Sequence, residues 1–172
     1  MAAALGSRAE DQSLCFTLRI LGGLGSHDLS AMREILGGMP SRCVGATRAT
    51  TAPFLTAMFQ YDGGGFPVTY ETGLDGTANF DASIEIIGDK KRVKVIYDTP
   101  YVKGLPITVE IREADAETGH YTERVVRPTY KDPYTIQFEE LYACLREGKP
   151  VKTDPVDAAE DLKIFDMILN AL

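Results

Sequence analysis

The chain is poor in the residues that build metal and redox centres. It holds two histidines, His27 and His120, and three cysteines, Cys15, Cys43 and Cys144, none of them in a CxxC pair. Such spacing frames neither a disulfide network nor a zinc site, so no metal is expected. Positive charge is also scarce. Eighteen Lys and Arg against 25 Asp and Glu leave a net charge of −7, with a pI near 4.9. Nucleic acid and anionic membrane both require a basic footprint, and the short Lys90-Lys91-Arg92 cluster does not supply one, so neither is expected as a partner. No uncharged apolar run approaches the ~20 residues that cross a bilayer, and Met1 to Leu5 is too short for a secretory h-region. Together these absences predict a soluble, cytoplasmic protein.

What is present suffices for a core: 44% of the 172 residues are hydrophobic, and a chain of this size favours one domain. The small, polar stretch 1–11 reads as a flexible N-terminus, followed by a single domain over 12–172. Leu14, Leu18 and Leu21 recur at helical spacing until Gly22, Gly23 and Gly25 interrupt them. A second helix follows, with Leu29, Met32, Ile35 and Leu36 as its apolar face, Ser26 or Asp28 as its cap and Gly37-Gly38 with Pro40 as its stop. Alternating apolar and polar residues then predict strands at 42–49, 54–61, 66–74, 82–87, 92–98, 107–114 and 121–127. Asp62-Gly63-Gly64-Gly65 and Gly88-Asp89-Lys90-Lys91 read as hairpin turns. Helices are expected at 133–147 and 155–172, the last capped by Asp154 and facing the core with Val156, Ala159, Leu162, Phe165, Leu169 and Leu172. The fold class is therefore α+β: an open, mostly antiparallel sheet of about six or seven strands with helices on one face.

The run from Leu21 to Gly37, LGGLGSHDLSAMREILG, sets a histidine at the start of an amphipathic helix. With the strand pair around 82–98, the phrase YDTPYVKGLP at 97–106 and the ending GKPVKTD at 148–154, it resembles the C-terminal domain of the Gfo/Idh/MocA oxidoreductases, fungal-type members in particular. That resemblance implies an active-site role for His27 and packing of sheets into dimers or larger oligomers. It also implies an upstream Rossmann domain for NAD(P), a lysine in a Glu-Lys-Pro motif and an aspartate four residues before the histidine. This chain has no strand-linked GxGxxG and no Glu-Lys-Pro, and Gly23 stands where the aspartate would be. No redox cofactor is expected for the chain on its own.

His27 is the catalytic candidate, because an imidazole titrates near neutrality and can give or take a proton; a helix cap or a filled polar gap is the alternative. Helical geometry puts Ser30 and Glu34 on its face and turns Asp28 about 100° away. Gly22, Gly23 and Gly25 permit close approach of a ligand or another backbone, a helix kink or inter-helix packing being the alternative, and Gly23 and Ser26 are candidate substrate contacts. Tyr70, Tyr97 and Tyr101 are candidate pocket walls and Lys103 a candidate pocket charge, although core, interface or solvated surface suits them equally. The expected activity is cofactor-free proton transfer on a small organic molecule by a homodimer: isomerisation, dehydration or ring closure. The alternative is a non-catalytic subunit or remnant of an oxidoreductase that serves binding and oligomerisation.

Overall fold

A computed structural model describes residues 5–49, 51–63, 65–105 and 107–172. Met1 to Ala4, Gly64 of the expected glycine turn and Pro106 of the 97–106 phrase lie outside the described residues. The chain is α+β, with helices α1 (Gln12–Ile20), α2 (Ser26–Leu36), α3 (Pro133–Glu147) and α4 (Pro155–Ala171). Its seven strands are β1 (Arg42–Arg48), β2 (Phe54–Tyr61), β3 (Phe66–Gly73), β4 (Ala82–Ile87), β5 (Lys91–Tyr97), β6 (Thr108–Ala114) and β7 (Tyr121–Val126). All pairings are antiparallel between chain neighbours, and they form two sheets, β1-β2-β3 and β4-β5-β6-β7. The chain divides correspondingly into two compact units, one comprising the residues to Gly76 with Lys152–Leu172, the other Thr77–Val151.

In the first unit, strict alternation along β2 sends Leu55, Ala57, Phe59 and Tyr61 to one face and Phe54, Thr56, Met58 and Gln60 to the other. The inner set packs with Tyr70 of β3, Leu29 and Met32 of α2, and Ile164, Phe165 and Ile168 of α4. Tyr61 stacks on Phe66, ring centroids 5.3 Å apart, and its hydroxyl donates to the Gly38 carbonyl at 3.3 Å. A bulge between Cys43 and Gly45 breaks the β1-β2 register at Val44, which is left exposed. At the start of the described chain, Gly6–Glu10 forms a 3-10 helix where the composition suggests fraying. Leu5 is buried with Leu14 and Leu169, and Arg8 donates to the Leu169 carbonyl at 2.7 Å.

Two helix faces differ from the expected ones. On α2 the buried residues are Leu29, Met32 and Arg33, while Ile35 is exposed. On α4 they are Asp161, Ile164, Phe165, Ile168 and Leu169, while Val156, Leu162 and Leu172 face outward. The cause is one ion-paired cluster. Arg33 Nε donates to Asp161 at 2.8 Å, and its Nη1 and Nη2 reach the Asp157 carboxylate and carbonyl at 2.9 and 3.1 Å. Holding Asp157 and Asp161 inward, four residues apart, turns the helix so that Phe165 and Leu169 keep the core and Val156 and Leu162 leave it. The Asp154 cap accepts from the Val156 and Asp157 amides at 2.8 Å, as the Asp-Pro start of the helix predicts.

In the second unit one sheet face is apolar, with Ile84, Ile86, Val93, Val95, Val109 and Ile111 in register. The opposite face carries alternating charge, with Arg92 near Glu85 at 3.7 Å and Arg112 paired to Glu123 at 2.7 Å. Helix α3 starts on Asp132, which accepts from the Thr135 amide and hydroxyl at 3.0 and 2.7 Å. Among the described residues of this unit, no side chain is fully buried.

Candidate functional site

The glycines before His27 do not end a helix. Leu21–Gly25 is a π-helical turn that joins α1 to α2, with right-handed backbone at Ile20, Leu21, Gly25 and Ser26. No side chain caps α2, so Ser26 and Asp28 are not its N-cap. The Ser26 amide donates five residues back, to the Leu21 carbonyl, and shares its hydrogen with the Leu24 carbonyl. In α geometry it would have gone to Gly22, and the Gly22 carbonyl instead accepts from the Ser26 hydroxyl at 3.3 Å. Ser26, singled out as a ligand contact, thus closes the wide turn with its own side chain.

Beneath this turn stands Tyr70 on β3, opposite Ala57 on β2. Its ring is buried, and a Cβ built on Gly25 would lie 2.5 Å from its hydroxyl, so only glycine fits there. Among the described residues, no group meets that hydroxyl in hydrogen-bond geometry. Burial pushes its pKa up to about 12; the nearby Thr72 hydroxyl eases this and the Asp28 carboxylate adds to it. Tyr70 is therefore a neutral phenol wedged under the helix, and it does not open to solvent.

On the outer side, His27 is exposed, Ser30 half-buried and Glu34 exposed, and the α2 geometry aligns the three on one face. Glu34 pairs with Lys152 at 2.6 Å. Among the described residues, nothing beyond the chain neighbours and the helix's own backbone lies within 4 Å of where a Cβ on Gly22 or Gly23 would be, so the helix surface at these glycines is bare. The remaining candidates belong to the other compact unit. There Tyr97 is half-buried, Lys103 is exposed beside Asp132, and Tyr101 is 80% exposed with its ring 6.4 Å from Tyr134.

The Arg33 cluster is a feature the apolar pattern does not predict; its signal in the sequence is Asp157 and Asp161 at helical spacing within an apolar stripe. Its hydrogen bonds hold the guanidinium firmly protonated and pull the Asp157 carboxyl below its ordinary range. Among the described residues, no group of three His, Cys, Asp or Glu is placed to hold a metal ion. No described helix is long and apolar enough to cross a membrane. A cavity of about 30 Å³ bounded in part by Ser13, Phe16, Arg48 and Phe54 has room for a water molecule, and no candidate residue lines it.

A helix start bearing an exposed histidine, ahead of antiparallel hairpins and two closing helices, makes this an α+β domain of two antiparallel sheets. Residues 19–172 match the family model described as "Oxidoreductase family, C-terminal alpha/beta domain", and the chain belongs to this family, Gfo/Idh/MocA. No curated protein and no solved structure matches it. The dinucleotide such a family implies does not fit the described residues. A pyrophosphate cradle needs a glycine turn from a strand into a helix, and Gly22-Gly23-Leu24-Gly25 is a turn within a helix.

Proposed function

We propose that this domain transfers a proton on a small organic molecule, with His27 as the acid or base and no redox cofactor held by its own residues. The observation that carries this reading is the exposed imidazole beside bare Gly22 and Gly23, with Ser30 and Glu34 on the same face. A ligand can lie flat against the glycine backbone, where any side chain would lift it away. Ser30 and Glu34 would then hold its polar groups, and His27 would take a proton from one atom and return it to another. That sequence is isomerisation, or dehydration or ring closure if a hydroxyl leaves as water. Native mass spectrometry of the purified chain, after incubation with a pool of small hydroxylated carbonyl compounds, tests the site. A compound retained by the native chain and lost in His27→Ala supports it; equal retention by both, or by neither, contradicts it.

A second reading, assembly through the sheet, is favoured by the outer face of β1-β2-β3. Val44, Phe54 and Met58 stand exposed there beside an open groove of about 360 Å³ that includes Gly45, Ala46 and Thr56. A second copy packed on this face would cover the apolar patch, and the two readings are compatible.

A further inference from the structure

We infer that Tyr70 is a positioning residue: its hydroxyl, wedged against Gly25, holds the Leu21–Gly25 turn in π register and so keeps Leu24 away from His27. The inference rests on the reading of His27 as the reacting group, and it adds what shapes the surface around it.

Three observations meet at this turn. The Tyr70 hydroxyl occupies the place a Cβ on Gly25 would take. It is buried, and among the described residues no group meets it in hydrogen-bond geometry although the Thr72 hydroxyl is near, an arrangement folded proteins seldom keep unless something else is served. The turn it touches has the i→i+5 bond from Ser26 to Leu21, with the Gly22 carbonyl met by the Ser26 hydroxyl. Single π turns inside α-helices are uncommon and cluster at functional sites.

The register decides what surrounds the imidazole. In an α-helix the residue three back lies about 60° around the axis, so Leu24 would stand beside His27. In a π turn roughly 4.4 residues complete the circle, and Leu24 swings away while Gly22 and Gly23 come to flank the histidine. Leu24 is itself exposed, so nothing in the core holds it in either position. Removing the phenolic oxygen takes away the contact that props the turn open, and the helix can tighten by one residue.

The test uses the isotope-labelled chain and needs no ligand. Scalar coupling across the hydrogen bond identifies the acceptor of the Ser26 amide. In the native chain the long-range acceptor is the Leu21 carbonyl, beside the local Leu24 carbonyl; in Tyr70→Phe Gly22 should replace Leu21, with new nuclear Overhauser contacts between the His27 ring and the Leu24 methyls. Tyr70→Phe that keeps Leu21 as acceptor overturns the inference and leaves the His27 reading intact. In the double variant Gly25→Ala with Tyr70→Phe, the added methyl refills the vacated place and Leu21 should be the acceptor again. Gly22 as acceptor there also overturns the inference, so a single variant that fails to fold still leaves a decision. A shifted register in Tyr70→Phe together with unchanged ligand retention in His27→Ala upholds the wedge and removes the catalytic reading.

Discussion

Gly23 and Gly37 are both glycine, for opposite reasons. Gly37 ends α2 at φ 76°, where a side chain meets its own backbone, and nothing else lies within 4 Å. Gly37→Ala should therefore cost about 1 kcal/mol in urea unfolding, purely as backbone strain. Gly23 has helical backbone and open space, so Gly23→Ala should be neutral or stabilising by up to about 1 kcal/mol. It should nevertheless abolish ligand retention at His27, and a loss of stability parallel to the loss of binding would contradict the bare-surface argument. Arg33 is the opposite kind of residue, buried and charged. Arg33→Ala strands Asp161 without a partner and should cost about 3–5 kcal/mol, measured by the same unfolding experiment. The pairing also gives stability a pH dependence. The Asp157 carboxyl titrates below its ordinary 3.8 in the folded state, chiefly through the Arg33 hydrogen bond. Its contribution is complete above that value and is lost as pH falls through the lowered pKa, so Arg33→Met should flatten the acid limb of a stability profile.

At the scale of elements, most of the chain was legible because one rule sufficed for each piece. Period-two alternation located all seven strands, and β2 and β4 fall at the expected limits. Aspartate followed by proline located the start of α4, and Asp154→Ala should cost about 1 kcal/mol through the loss of that cap. The misread faces are those where a polar contact overruled the apolar pattern. On α4 the sum of hydrophobicity pointed to Val156 and Leu162, but Arg33 required two aspartates inside. The π turn was hidden for a related reason. Three glycines signal a break when read locally, whereas the Tyr70 hydroxyl that lies against Gly25 comes from a residue 45 positions further along the chain.

At the scale of the whole molecule, the sequence pointed to the fold class and to hairpin partners, since each strand pairs with its chain neighbour. It did not mark the division into two sheets, because the stretch 74–81 between β3 and β4 carries no pattern that says whether those strands pair. The candidate site was legible only in part: His27, Ser30 and Glu34 follow from helical spacing, whereas the Tyr70 wedge depends on a strand crossing under the helix. Assembly through β1-β2-β3 predicts that Met58→Glu, a charge on its outer face, lowers the mass measured by light scattering to that of one chain while the fold survives. A native chain that is monomeric already would set that assembly aside.

The central claim is that His27 moves a proton. Solvent-deuterium incorporation tests it most directly: the retained compound is incubated in D2O with the native chain and with His27→Gln, and its mass is followed over time. Carbon-bound deuterium entering the compound with the native chain, and falling at least about 100-fold with His27→Gln, is the predicted result. Incorporation at the same rate in both, or in neither, would contradict the account and leave His27 a surface residue of a binding domain.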